Sequence, residues 1–297
     1  MDFAKATNKI KKNMNMKNNN KNFNNFILPN KNWIEWFIGF LDGDGNFQIF
    51  PKLRNYFKKS GELSNYFNVG YGIHISLSLK DYDLLLDIQA ILQGMGNLYK
   101  YEDKDEARLA ITKLSELEIL VTSILNQAPF IILMQRERYN RLSYGILNKI
   151  NRFETHSDYI NFINTNFSKP ISEELNNEYF NSKSFDNWIQ GFINGEGSFH
   201  IHKKGHLTFY IEHTDKNALI NIKNRFNFGP NVIEREARPS LTYRNSKLDF
   251  RLPTYALHIS SQKDINTLKD FCSNKDLAPL AGAKLIQFNN WISHSSI

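Results

Sequence analysis

"WFIGFLDGDGNFQIF" (residues 36–50) is echoed about 150 residues later by "WIQGFINGEGSFHIH" (residues 188–202). Each stretch runs from an aromatic residue through Gly, an apolar pair and an acid or amide to Gly-acid-Gly, then into a strand-like tail. The spacing predicts a short helix that closes at the acid and hands over to a strand. Gly39 and Gly43 stand four apart, as do Gly191 and Gly195, so each helix has a face free of side chains. Small residues at that spacing let two backbones approach closely, and these four glycines are the expected helix interface. Asp44 and Glu196 then lie at helix C-termini, where the macrodipole is already negative. Parallel pairing of the two helices adds repulsion between them. A divalent cation resolves that conflict, because carboxylates and helix-end carbonyls are the hard oxygen ligands that Mg²⁺ accepts.

Working outward, the flanks repeat as well. In the first copy "YGIHISLSL" alternates, with Ile73, Ile75, Leu77 and Leu79 opposed to His74, Ser76 and Ser78. A helix with a Gly stop follows in "KDYDLLLDIQAILQGMG", then two strands around "EDKDE" and a helix in "KLSELEILVTSIL". The second copy has "HLTFYIEH", a helix in "DKNALINIKNRFNFG", two strands ending in "YALHIS" and a helix in "KDINTLKDFC". The chain therefore reads as α+β, two α-β-β-α-β-β-α repeats related by a pseudo-twofold axis. The expected divisions are a leader (1–32), a first half (33–150), a linker (151–183) and a second half (184–297).

Composition bounds what such a protein can be. The 37 Lys and Arg outnumber the 30 Asp and Glu, but residues 1–32 hold seven Lys against one Asp. Nearly all the excess charge thus belongs to the leader, and the folded part can bind a polyanion only by sorting its charges onto one face. The leader is polar and rich in Asn and Lys, so it is expected to be disordered. A solvated leader, a basic arm on nucleic acid and an import sequence are all open readings. Its lack of Arg weighs against the last. The most apolar stretch, "LEILVTSILNQAPFIILM", is broken by Asn126, Gln127 and Pro129, which fits a buried helix rather than a membrane span. Cys272 has no partner, which excludes disulfides and Cys-based zinc sites. The bias toward Asn, Lys, Ile, Phe and Tyr is what an AT-rich gene encodes, pointing to a mitochondrial or other organellar origin.

The two W-x-x-G-[FL]-x-x-G-[DE]-G segments, the matched flanks and the closing "PLAGAKLIQFNNW" resemble a single-chain LAGLIDADG homing endonuclease over residues 33–297. The resemblance implies a curved four-stranded antiparallel sheet in each half, the two forming a DNA-binding saddle, with the motif helices at the seam. It implies that Asp44 and Glu196 hold two or three divalent ions with help from the Gly43 and Gly195 carbonyls. Mg²⁺ is the expected cofactor, with Mn²⁺ substituting and Ca²⁺ allowing binding without cleavage. A Lys five residues after the Pro that opens the last helix is the family's basic helper. Pro279 leads to Lys284, a match, whereas Pro129 leads to Met134, a departure: either Arg136 or Arg138 substitutes from the next turn, or that half-site lacks its basic helper and the two strands are cut unequally.

Strand alternation nominates DNA contacts: Gln48, Lys52, Arg54, His74, Ser76, Ser78 and Lys100 in the first half. The second half offers Ser198, His200, His202, Lys204, Thr208, Tyr210, Arg235, Arg238, Arg244 and Arg251, with Glu212 beside them. Solvent exposure alone would explain any one of these residues. His200 and His202 also form a potential metal pair, without a third ligand. The leading expectation is a monomeric, intron-encoded enzyme cutting a long non-palindromic duplex and leaving short 3′ overhangs. A group I intron RNA maturase, alone or as an additional activity, and a DNA-binding regulator are the other readings.

Overall fold

The computed structural model describes residues 26–57, 59–167, 175, 177–203, 205–236, 239–240, 249–250 and 253–294. Lys204, Arg238, Arg244, Arg251 and the leader through Asn25 lie outside the described residues. The chain divides into two compact units. The first is Met1–Ile34, Asp44–Pro129 and Met134–Lys169; the second is Glu35–Gly43, Phe130–Leu133 and Pro170–Ile297.

Helix α1 (Lys31–Asp44) opens where the Asn30 side chain accepts the Asn32 amide at 2.8 Å. Most of that helix, Glu35–Gly43, belongs to the second unit, although the sequence places it in the first half. The first unit continues with β1 (Gly45–Phe57) and β2 (Leu63–Ser78), then α2 (Tyr82–Ile91), β3 (Asn97–Tyr101) and β4 (Glu106–Ile111). Helices α3 (Leu114–Ile119) and α4 (Leu133–Leu147) follow. The antiparallel order is β1-β2-β4-β3, so sequence neighbours pair except where β4 crosses to β2. Period-two patterning sends Ile73, Ile75, Leu109 and Ile111 into the core under α2 and α3, all at most 1% exposed.

The stretch expected to be a linker holds structure of its own. Strand β5 (Arg152–Phe153) pairs with β2, and α5 (His156–Asn164) begins with a capping box between Thr155 and Asp158. Phe153 meets Tyr159 and Phe162 at 5.9 and 5.5 Å between ring centroids, so an aromatic cluster fixes the strand to the helix. Helix α6 (Asn177–Phe180) closes this stretch.

The second unit repeats the order with α7 (Lys183–Glu196), β6 (Gly197–Ile201), β7 (Leu207–His213), α8 (Lys216–Phe226), β8 (Ile233–Arg235), β9 (Pro239–Ser240), β10 (Asp249–Phe250) and β11 (Thr254–Ile259). It ends in α9 (Gln262–Cys272) and α10 (Gly282–Ser293). Its main sheet has the order β6-β7-β11-β8, matching the first. Ser182, Asp215 and Ser261 cap α7, α8 and α9 through their side chains, and Asn227 ends α8 in the left-handed region at φ 51°. Phe209, Ile211, Leu257 and Ile259 face the helices, again at most 1% exposed.

Candidate active site and nucleic-acid interface

Within the second unit the α1 segment Glu35–Gly43 and α7 meet backbone to backbone. A methyl group added at Gly39 would collide with the Trp188 carbonyl oxygen, and one at Gly191 with that of Trp36. These contacts are reciprocal, each motif's Gly lying on the other motif's Trp. The rings then turn along their own helices: Trp36 stacks on Phe40 at 5.2 Å and Trp188 on Phe192 at 4.8 Å. The close approach expected at Gly39 and Gly191 is therefore present. At Gly43 the neighbour is softer, the Glu196 side chain at 3.1 Å from the added carbon.

The amide or acid three residues after the first motif Gly has a structural task. Asp42 accepts hydrogen bonds from the Ile131 amide at 2.7 Å and the Trp188 indole at 2.8 Å. Asn194, its counterpart, accepts the Ala281 amide at 2.7 Å. Each side chain so ties the chain entering a last helix to the motif helices. Asp42 is wholly buried, and that burial pushes its carboxyl up to about 8 despite the two donors. Asp42→Ala is expected to cost about 2–4 kcal/mol, because it strands a buried indole and a buried amide. Denaturant titration of the two proteins checks this; a loss under 1 kcal/mol would contradict it.

Asp44 and Glu196 are the final residues of α1 and α7, each partly buried. The carbonyl one residue beyond each acid receives a side-chain donor from a helix of its own unit, α4 in the first and α10 in the second. Lys284 Nζ donates to Gly197 O. In the first unit Gln135 Nε2 donates to Gly45 O at 2.6 Å. Counting from Pro129 had pointed to Met134, leaving Arg136, Arg138 or no basic helper as the expectation; the side chain on the Gly45 carbonyl is the uncharged Gln135. Helix α10 starts three residues after Pro279, whereas α4 starts four residues after Pro129. Lys284 and Gln135 are therefore both third residues of their helices, and counting from the Pro falls one short. Met134 is 41% exposed and Arg136 is buried, while Arg138 lines a cleft beside Gln48 and Phe50.

The sheet registers assign faces to the nominated contacts. In the first unit Asn46 pairs with His74, Lys52 with Asn68 and Arg54 with Tyr66, and Ser76 pairs with Arg108. Gln48, Lys52, Arg54, His74, Ser76 and Ser78 thus share the face turned away from the helices. Lys100 does not. It pairs with Ala107, which is fully buried, and its ammonium lies 3.9 Å from the centroid of the Tyr82 ring, on the helix side. Arg108, missed by the sequence reading, is on the open face, held by Ser76 at 2.9 Å and Glu106 at 2.7 Å. The alternation in "EARLAI" would have revealed it. Burial, then the Arg108 charge, lowers the His74 pKa.

In the second unit Ser198 pairs with Tyr210 and His200 with Thr208, and Tyr210 pairs with His258 across β11. Arg235 pairs with Thr254, so it joins Ser198, His200, Thr208 and Tyr210 on one face. Glu212 gathers that face together, accepting from Tyr210, Thr254 and Arg235, the last at 3.4 Å. His202 lies 3.1 Å from Thr208 Oγ1. Thr254 and His258 are further open-face residues that the sequence reading did not name.

Residues 37–137 match the family model described as LAGLIDADG endonuclease. The chain is 24% identical over 271 residues to a probable intron-encoded endonuclease, Cox1-I1b, of Schizosaccharomyces pombe, covering 89% of this chain. It is 25% identical over 209 residues, 70% of this chain, to the uncharacterized mitochondrial protein RF1 of Saccharomyces cerevisiae. The chain spans only 64% and 40% of those two proteins. Among solved structures, the LAGLIDADG meganuclease I-AabMI bound to uncleaved DNA has a TM-score of 0.59 at 20% identity, covering 88% of this chain and 90% of that one. The I-SmaMI homing endonuclease bound to cleaved DNA gives 0.62 at 16% identity, covering 88% and 87%. These two likenesses are likenesses of fold. With the family model matched over residues 37–137, the twice-repeated motif and the repeated α+β fold together, the chain is similar to the LAGLIDADG endonucleases and has the fold of their two-motif members.

Proposed function

We propose that the chain is a sequence-specific endonuclease that cuts both strands of a long, non-palindromic DNA duplex by metal-dependent hydrolysis, leaving short 3′ overhangs. In this reading it acts as a monomer encoded by a mitochondrial intron and promotes that intron's mobility. One observation carries the proposal. Each motif helix ends in a carboxylate, and the next carbonyl is engaged by a polar side chain from the third position of a later helix in the same unit, α4 or α10. Folding alone disfavours acids at those two helix ends, so their presence in both copies supports a cation-dependent task.

The donor set fits a hard divalent ion. No group of three or more His, Cys, Asp or Glu side chains that could hold a metal occurs among the described residues. A cation on Asp44 or Glu196 would therefore complete its shell with carbonyls, for which Gly43 and Gly195 are proposed, and with water and phosphate oxygens. Such incomplete protein ligation is the habit of Mg²⁺ at phosphate-processing sites. When bound, the ion activates water and neutralises charge building on the phosphate. The chain's own residues hold the ion and place the phosphodiester. Lys284 brings a positive charge to the Gly197 end of its site, where Gln135 brings only a dipole to the Gly45 end.

The test is a plasmid carrying the intronless junction of the host gene, incubated with the protein in Mg²⁺ or in Ca²⁺. Linear product with 3′ overhangs in Mg²⁺, and a bound but uncut plasmid in Ca²⁺, is the expected result. Tight, sequence-specific binding with no cutting in Mg²⁺ or Mn²⁺ would overturn the nuclease reading.

A further inference from the structure

The hairpin of the first unit is much longer than its counterpart. Strands β1 and β2 pair continuously from Gly45↔Ile75 to Phe57↔Leu63, whereas β6 and β7 pair only from Gly197↔Ile211 to Ile201↔Leu207. Strand β5 joins this long hairpin where it has run beyond β4, through Asn68↔Arg152 and Phe67↔Phe153. The result is a row across three strands, Lys52–Asn68–Arg152, on the open face. Lys52 and Arg152 are exposed and Asn68 is half-buried.

Arg152 is held in place from several sides. Its guanidinium lies over the Tyr66 ring at 4.0 Å from the centroid, which fixes its plane. The Val69 amide donates to Asn151 O at 3.0 Å, and the Phe153–Tyr159–Phe162 cluster holds the strand from behind. Arg152 pairs with Glu154 at 2.8 Å, and the two side chains are 40% and 70% exposed. Such an exposed pair is weak, whereas a bidentate Arg–guanine contact is the commonest specific contact to a base edge. A guanine edge can therefore compete with Glu154 for the guanidinium.

We propose that β5 is a third recognition strand, and that Arg152 reads a guanine edge in the major groove of the outer part of the half-site bound by the first unit. Asn68 and Lys52 complete the row. This rests on the DNA-cutting reading above. Seven residues separate Lys52 from Gly45, about 23 Å of strand at 3.3 Å per residue, or about seven base-pair rises of 3.4 Å. The row thus addresses base pairs well outside those next to the acids.

The full chain, in Ca²⁺, would be used to select duplexes from a randomised pool, alongside Arg152→Ala and Arg152→Lys. The parent is expected to enrich a guanine at an outer position of one half-site. Arg152→Ala should lose that preference, keep every inner one, and bind the selected duplex about 5- to 150-fold more weakly. Arg152→Lys should recover the salt dependence of binding but not the guanine preference. An unchanged preference profile in Arg152→Ala, or equal weakening for every base at that position, overturns the inference and leaves the nuclease reading intact. A parent protein that selects no sequence overturns both.

Discussion

Glu196→Gln and Asp44→Asn are each expected to lower the double-strand cleavage rate at least about 100-fold while leaving target affinity within a few-fold of the parent. Both substitutions keep the shape of the side chain and remove its charge. Shape matters at Glu196, because its Cγ is the first atom a side chain at Gly43 would meet, at 3.1 Å. Losing one pre-organised electrostatic element of an active site commonly costs 10²–10³ in rate, and a proposed metal ligand belongs at the upper end of that range. Affinity should hold, because in the proposed reading it comes from the sheet faces and from phosphate contacts rather than from two acids. The measurements are strand-resolved cleavage in Mg²⁺ and titration of labelled duplex in Ca²⁺. Either variant cutting both strands near the parental rate would remove that acid from the proposed site. Lost binding with an altered melting temperature would instead assign the residue to folding.

Much of this arrangement is legible in the chain, for physical reasons that also mark the limit. The glycines at 39 and 191 announce a close approach because no other residue offers a bare helix face, and the structure uses both against backbone. The long strands are legible because alternation over many residues fixes which face is buried. "YGIHISLSL" leaves no doubt about His74 and Ser76. "NLYKY" has only five residues, and its aromatics belong to either face, so Lys100 was assigned to the wrong one. A one-residue change of register inverts every side chain in such a strand. Strand β5 is two residues long and carries no periodicity at all, which is why Arg152 went unnoticed within an expected linker. The exchange of Met134 for Gln135 turns on one extra residue between Pro129 and α4, a detail of backbone geometry invisible to residue counting.

The largest loss of stability is expected from Gly39→Ala and Gly191→Ala. In an isolated helix each change would be favourable by about 1 kcal/mol, since Ala is the better helix former. Here the added methyl meets a backbone carbonyl on the opposite helix, that of Trp188 or Trp36, and no side-chain rotation relieves it. The helices must move apart, and with them go Trp188 and Phe192, each at most 1% exposed. Overpacking ordinarily costs about 1–3 kcal/mol when side chains can adjust. A backbone-to-backbone clash should exceed that range, so about 3 kcal/mol or more per substitution is the expected net loss. The melting temperature should fall by roughly 6–12 °C, at about 2–4 °C per kcal/mol for a fold of this size. Gly229→Ala is the control, because its added carbon would meet only Asp264 Oδ2 at an ordinary 3.5 Å. Gly43→Ala should fall between, its neighbour being a side chain that can yield. Thermal melts of the four variants in the absence of DNA and metal separate this from any catalytic effect. If Gly39→Ala and Gly191→Ala melt no lower than Gly229→Ala, the motif helices do not pack through their glycines.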